Sequence, residues 1–278
     1  MLTDIPRSKM LTIIPSKNRA RDLQERALKL VPDAYVIVAD EEERALYELQ
    51  GVPADNLLVC NSPRDRYGKS RAIAWAYERM AYGEWMFILD DKVSRIQHIF
   101  DPGLSVENLA MELVWACEEE GANYGGIRTN PSKRLQHTHD IAEIPVGGFI
   151  VIRKTDLVIP IKYEDDRWLF FEHLWHDGKV VRMHSIRYDL EMGLPGGHGR
   201  LQDRTWMDEE ARELKVEYRD AVTLEPNLWV PGMNAQVTAG LDVKAWRTGM
   251  GFWTSWDTRH PPIPESDVHR VTTITSGG

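Results

Sequence analysis

Between residues 11 and 91 short apolar runs alternate with amphipathic stretches, and each apolar run stops at or just before a polar residue. Leu11-Thr12-Ile13-Ile14-Pro15 reads as a buried strand that runs into the polar turn Ser16-Lys17-Asn18-Arg19. Arg21 to Val31 then carries Leu23, Ala27, Leu28, Leu30 and Val31 at roughly helical spacing. Tyr35 to Ala39 is a second strand ending on Asp40, followed by a helix from Glu41 to Gln50 with Gly51 as its cap. Leu57 to Cys60 is a third strand, and Lys69 to Ala81 reads as a helix on Ile73, Ala74, Tyr77 and Met80. Trp85 to Leu89 is a fourth strand, closed by Asp90-Asp91. Near-continuous apolar strands are buried on both faces, and the intervening helices supply the cover. The expected class is therefore α/β, a mixed and mainly parallel sheet with helices on both faces. Ligands of such sheets bind beyond the carboxyl ends of the strands. Ser16 to Arg19, Asp40 and Asp90-Asp91 are expected to gather there.

The second half is less regular. Ser105 to Gly121 is a helix with Leu109, Leu113, Val114 and Cys117 on one face. Tyr124 to Arg128 and Gly147 to Arg153 read as strands, Asp166 to His176 as a helix, and Lys179 to Leu190 as one long extended stretch. Thr205 to Tyr218 is a charged helix. From Ala221 onward Pro, Gly and Trp dominate and periodicity fails, with four of the ten tryptophans (Trp229, Trp246, Trp253, Trp256) in this part. The expected organisation is a core over residues 1–220 with an irregular extension, 221–278, packed on it. Two cysteines, Cys60 and Cys117, exclude a disulfide scaffold and a Cys-rich zinc module. No apolar run reaches the roughly 18–20 residues of a membrane span, and Met1 to Met10 lacks the apolar core of a secretory signal. These features predict a cytoplasmic protein. The net charge of −9 argues against holding nucleic acid by bulk attraction.

Adjacent carboxylates at the end of a buried strand, as in Asp90-Asp91, are costly unless something positive faces them. A Mg²⁺ or Mn²⁺ ion bridging a diphosphate meets that need with hard oxygen ligands; the plainer reading is a solvated turn. Glu164-Asp165-Asp166 precedes a helix, where carboxylates meet the dipole, or where one of them acts as general base on an acceptor hydroxyl. In Gly196-Gly197-His198-Gly199-Arg200, His198 suits a metal and Arg200 a phosphate. Lys17, Arg19, Lys69 and Arg71 lie near strand ends, where a diphosphate leaving group needs cations.

The order of these segments resembles that of glycosyltransferases of the GT-A fold, which use nucleotide sugars. The resemblance covers roughly residues 10–200. It implies that Pro15, Ser16, Lys17 and Arg19 hold the nucleotide, that Asp40 faces the base or ribose, and that Lys69 or Arg71 lies near the nucleotide sugar. The family's acidic motif is Asp-x-Asp, its first carboxylate facing the ribose and its last binding the metal. Here it reads Asp90-Asp91-Lys92, a departure with two readings. Either Asp91 takes the metal, Mn²⁺ or Mg²⁺, with His198 as a later ligand, or the ammonium of Lys92 replaces the metal. Gly147-Gly148 matches the segment bordering the donor sugar and acceptor. Glu164-Asp165-Asp166 matches the x-Glu-Asp motif, which makes Asp165 the base by direct alignment and Asp166 the base after a one-residue shift. The implied donor is a UDP-sugar or another nucleotide sugar.

Within this group the chain is similar to glycosyltransferases found beside TET/JBP-type dioxygenases in phages. That likeness implies transfer of a hexose to a hydroxymethylated pyrimidine in DNA, in a bacterial or phage-infected host cell. Arg128, Lys133, Arg134, His137 and His139, with no acid before Asp140, form a stretch suited to phosphate contacts. Trp253 and Trp256 suit stacking on a base or sugar. The competing readings are a glycan or small-molecule acceptor, a nucleotidyltransferase, and an inactive binding module. The absence of glycine from Pro15 to Arg19 counts against the nucleotidyltransferase.

Overall fold

The computed structural model describes residues 10–63, 67–127, 139–140, 146–162, 165–190, 205–218, 222–226 and 237–241. In chain order its elements are β1 (Leu11–Pro15), α1 (Ala20–Glu25), α2 (Ala27–Leu30), β2 (Tyr35–Val38), α3 (Glu41–Leu49), β3 (Leu57–Val59), α4 (Gly68–Glu78), β4 (Trp85–Leu89) and β5 (Val93–His98). They continue as α5 (Val106–Glu120), β6 (Tyr124–Ile127), β7 (His139–Asp140), β8 (Val146–Arg153), α6 (Asp165–Asp177), β9 (Val181–Met183), β10 (Ile186–Leu190), α7 (Thr205–Tyr218), β11 (Val222–Pro226) and β12 (Val237–Leu241).

Eight strands form one sheet in the order β3-β2-β1-β4-β8-β6-β9-β7. From β3 to β4 every pairing is parallel. β8 enters antiparallel between β4 and β6, β9 lies parallel to β6, and β7 closes the edge antiparallel to β9. The sheet is thus mixed and mainly parallel, as the alternation of elements predicts.

Strand residues alternate between faces, and both faces are apolar. Ile13, Ile37, Met86, Ile88, Ile150 and Ile152 turn to one side, where α4, α6 and α7 bring Ile73, Tyr77, Phe170, Phe171, Leu174, Trp175 and Tyr218. Ile14, Val36, Val38, Phe87, Leu89, Phe149 and Val151 turn to the other. There α1, α2, α3 and α5 bring Leu23, Ala27, Tyr47, Leu109, Leu113 and Cys117. Each such fully buried large side chain contributes about 1.5–3 kcal/mol, so the strand ends rest on a rigid base. Two helices end as their sequences direct. Asp40 caps α3 by accepting from the Glu43 N–H at 2.9 Å, and Ser105 caps α5 through the Asn108 N–H at 3.2 Å. Gly121 closes α5 at φ +70°, a backbone that a side chain would strain.

The structure differs from the sequence expectation in four places. The helix expected over Arg21 to Val31 turns at Arg26, whose N–H reaches the Leu23 carbonyl at 3.3 Å; both Leu23 and Ala27 stay fully buried. The stretch from Lys179 to Leu190 is two strands in different sheets: β9 joins the large sheet, whereas β10 pairs antiparallel with β5. The strand β5 itself carried no sequence signal, because its burial is mixed. Beyond Ala221, β11 and β12 form an antiparallel ladder with Val222 opposite Leu241. Val222 is buried in the same core as Tyr218, and its carbonyl accepts from the Lys215 ammonium at 2.7 Å. No helix among the described residues is long and apolar enough to cross a membrane.

Candidate functional site

The carboxyl ends of β1, β2 and β4 converge with the start of α4 on one cavity. Pro15 ends β1 and the turn after it supplies Ser16, Lys17 and Arg19; Val38 ends β2 and Ala39 follows it; α3 supplies Glu43. Cys60 follows β3, Lys69 lies in the first turn of α4, and Asp90, Asp91 and Lys92 follow β4. The parallel register makes this convergence, since β1 lies between β2 and β4 with their ends in step.

A directed chain of hydrogen bonds fixes the turn after β1. Ser16 Oγ donates to Asp91 Oδ2 at 2.8 Å. With its one hydrogen so placed, Ser16 accepts from the Tyr47 hydroxyl at 2.8 Å. Tyr47 in turn accepts from the Arg19 N–H at 3.0 Å. The Arg19 guanidinium closes the loop on Asp91 Oδ1 at 2.8 Å, with both side chains largely buried. Beside it, the Glu43 carboxylate, 1% exposed, accepts from the Asn18 N–H at 2.8 Å and the Ala39 N–H at 2.9 Å. Glu43 therefore ties the end of β1 to the end of β2. It also holds Asn18 in the left-handed region at φ 54°.

The two aspartates differ in electrostatics. Burial and the neighbouring Asp90 charge push Asp91 up to about 6, against the pull of Arg19 and Ser16. Asp90 is buried too, but the Lys92 and Lys69 ammonium groups and the Lys92 N–H hold it below the usual carboxylate range. Lys92 Nζ lies 3.9 Å from Asp90 Oδ1 and Lys69 Nζ 4.0 Å from Oδ2. The Asp90 N–H donates to the Gly148 carbonyl at 3.0 Å, which anchors the pair to β8. Of the pair, Asp90 keeps its charge and Asp91 is the one that protonates first. Tyr47 is raised by burial and stays a neutral hydroxyl.

The cavity brings together Pro15, Ser16, Lys17, Arg19, Lys69, Asp90, Asp91 and Lys92, all singled out in the sequence. Asp40 stands at the cap of α3 and Arg71 on α4, its guanidinium 5.9 Å from the Tyr67 ring; neither lines the cavity. Gly147 and Gly148 lie on β8. A Cβ at Gly148 would stand 2.5 Å from the Tyr188 ring, so packing alone requires glycine there. Asp165 and Asp166 begin α6, whose far end is tied through Asp177 to Asn123, just ahead of β6. Thirteen residues span about 20 Å, which separates the first turn of α6 from the Asp177 end. Glu164, Arg128, Lys133, Arg134, His198, Arg200, Trp253 and Trp256 lie outside the described residues.

Glu43, Tyr47 and Tyr188 escaped the sequence reading. Glu43 had a signal: Asp40-x-x-Glu43 has the spacing of a capping box, though here the glutamate reaches Ala39 and Asn18 instead of the cap residue. Tyr47 and Tyr188 look like ordinary apolar positions in sequence.

The expected divalent cation can be tested against the donor set. Both Asp91 oxygens already face donors, one of them a guanidinium, and Asp90 sits between two ammonium groups. Among the described residues no group of three or more His, Cys, Asp and Glu side chains is arranged to hold a metal. The carboxylates as placed do not fit a Mg²⁺ or Mn²⁺ ion, which asks for several unopposed oxygen ligands.

No protein-family model matches the chain, and no curated protein matches it. Among solved structures it is similar to S. aureus TarS 1–349 at 13% identity and a TM-score of 0.40, over 65% of this chain and 59% of that one. The chain therefore spans less than two thirds of that structure. TarS 1–349 in complex with UDP-GlcNAc matches at 11% identity and a TM-score of 0.47, over 76% and 67%. The 2-C-methyl-D-erythritol 4-phosphate cytidylyltransferase of Francisella tularensis matches at 11% identity and a TM-score of 0.31, over 76% and 79%.

Proposed function

We propose that the chain is a glycosyltransferase that moves a hexose from a nucleotide diphosphate sugar to a hydroxyl acceptor. The observation that carries this reading is the cavity at the strand ends, where Lys17, Arg19, Lys69 and Lys92 meet on a rigid floor. Cations fixed in a partly desolvated cleft favour a leaving group on which negative charge develops. In the transfer itself the acceptor oxygen forms a bond to the anomeric carbon while the bond from that carbon to the diphosphate oxygen breaks. The diphosphate leaves with the electron pair, and the hydroxyl proton passes to a carboxylate, Asp165 or Asp166. Most of the acceleration then comes from positioning and electrostatics.

The acceptor we propose is a hydroxymethylated pyrimidine in DNA. The cation-rich stretch from Arg128 to His139 supports it, because that segment is free of acids in a chain of net charge −9. A melting-temperature screen of nucleotide sugars tests the donor, since a ligand at about 100 times its Kd stabilises the folded state by roughly 2.7 kcal/mol. Mass spectrometry of hydroxymethylated DNA, oligosaccharides and small alcohols incubated with the bound donor then tests the acceptor. Transfer lost in Asp165→Asn or Asp166→Asn with donor binding intact identifies the base. A chain that no nucleotide sugar stabilises is not this enzyme.

A further inference from the structure

The cluster around Asp90 bears on how the diphosphate is held. Lys69 comes from the first turn of α4 and Lys92 from the segment after β4, so their positions are set by different elements. They stand on opposite oxygens of one carboxylate, at 4.0 and 3.9 Å, with side chains only 20% and 24% exposed. Asp90 is itself fixed at both ends, its N–H on Gly148 and its Oδ1 on the Lys92 N–H at 3.0 Å. Two ammonium groups held this way carry the same two positive charges as one divalent ion. Lysine binds phosphate as a point charge from a flexible stem, so both heads can turn from Asp90 to an incoming diphosphate without moving the backbone.

The second aspartate has a different task. Asp91 binds the Arg19 guanidinium and the Ser16 hydroxyl, and both belong to the turn after β1, which forms one wall of the cavity. It holds that wall in place. A metal ion at this pair would need oxygens that already face a guanidinium and two ammonium groups.

We propose that the leaving diphosphate is neutralised by the paired ammonium groups of Lys69 and Lys92 in place of a divalent cation, with Asp90 pre-positioning both and Asp91 acting as a positioning residue for Arg19 and Ser16. This rests on the nucleotide-sugar reading given above. The test is calorimetric titration of the native chain with UDP, GDP, CDP, ADP and dTDP, and with their common sugar conjugates, once in EDTA and once with Mn²⁺. For the nucleotide that binds, affinity in EDTA stays within about twofold of that with Mn²⁺, and Lys92→Met and Lys69→Met each weaken it by about tenfold or more. Lys92→Arg, which keeps the charge, recovers part of the loss. Melting temperatures of the variants report that the fold is kept, and the EDTA comparison needs no variant. Binding that appears only with Mn²⁺ overturns the ammonium pair and leaves the glycosyltransferase reading standing, as does native affinity in both methionine variants. Binding of no nucleotide under either condition overturns both.

Discussion

Glu43→Gln is the sharpest test of how the cavity is built. The carboxylate takes the Asn18 and Ala39 N–H groups on its two oxygens at 2.8 and 2.9 Å, in a site that is 1% exposed. Glutamine keeps one acceptor and turns an N–H₂ donor toward the other backbone N–H. The change removes one charge-assisted hydrogen bond, about 1.5–3 kcal/mol, and leaves buried donors facing each other, about 1–3 kcal/mol more. The sum, roughly 2.5–6 kcal/mol, is a large part of the 5–15 kcal/mol that holds a typical domain folded. With an m-value of about 3 kcal/mol/M the urea midpoint falls by about 1–2 M at unchanged slope. Glu41→Gln is the control: Glu41 lies in the same helical turn, its side chain is 73% exposed, and it pairs only loosely with Arg44 at 3.9 Å. Its effect stays within about 0.5 kcal/mol. If the two variants move the midpoint equally, Glu43 is not the tie between β1 and β2.

Three further outcomes follow from the packing and the charges. Gly148→Ala sets a methyl 2.5 Å from the Tyr188 ring; overpacking of this kind costs about 1–3 kcal/mol, and Tyr188→Val in the same chain should recover part of the lost melting temperature. His176 is raised above its ordinary value first by its hydrogen bond to Asp177, then by the nearby Asp156 carboxylate. Its contribution to stability is complete below the unfolded pKa near 6.5 and is lost as pH rises through the folded value, so the fall in native stability above pH ~6.5 should flatten in His176→Gln. Cys117 is fully buried and its thiol is raised far above normal, chiefly by burial; a thiol reagent should leave it unmodified in the native chain and modify it in urea.

The parallel half of the sheet was legible because its strands are apolar on both sides and its helices are amphipathic, and these signals need only local sequence. Asp90-Asp91, Lys69 and the turn from Ser16 to Arg19 could be placed near one another from strand order alone. What sequence did not carry was pairing between side chains. Ser16 lines the cavity as strand order predicts, but its hydroxyl bond to Asp91 has no sequence signal. Asp40, which the family resemblance assigns to the base or ribose, caps α3 with one of its oxygens. At Gly148 the missing side chain is required by Tyr188, forty residues away. The Ser16 and Gly148 contacts depend on partners 75 and 40 residues distant, which no local pattern fixes, whereas the Asp40 cap is made to a residue three positions on. The split of Lys179 to Leu190 into β9 and β10 has the same origin: two sheets compete for one extended stretch, and the buried bend at His184-Ser185 decides between them.

The charges lining the cavity differ in sign from the net charge of the chain. At −9 the chain as a whole repels a diphosphate, but exposed charges beyond about 8 Å are screened at physiological salt. Within the cavity the sum has the other sign. Glu43 faces two backbone N–H groups and Asp91 faces Arg19 and Ser16, which leaves Asp90 opposite Lys69 and Lys92. A unit charge 4 Å from another, at an effective dielectric near 20, interacts by about 4 kcal/mol. At that range the nearby Asp90, Lys69 and Lys92 charges outweigh the screened distant carboxylates in setting the local field. The buried acids shape the cavity itself: Glu43 fixes the backbone of the turn after β1, and Asp91 fixes Arg19 and Ser16.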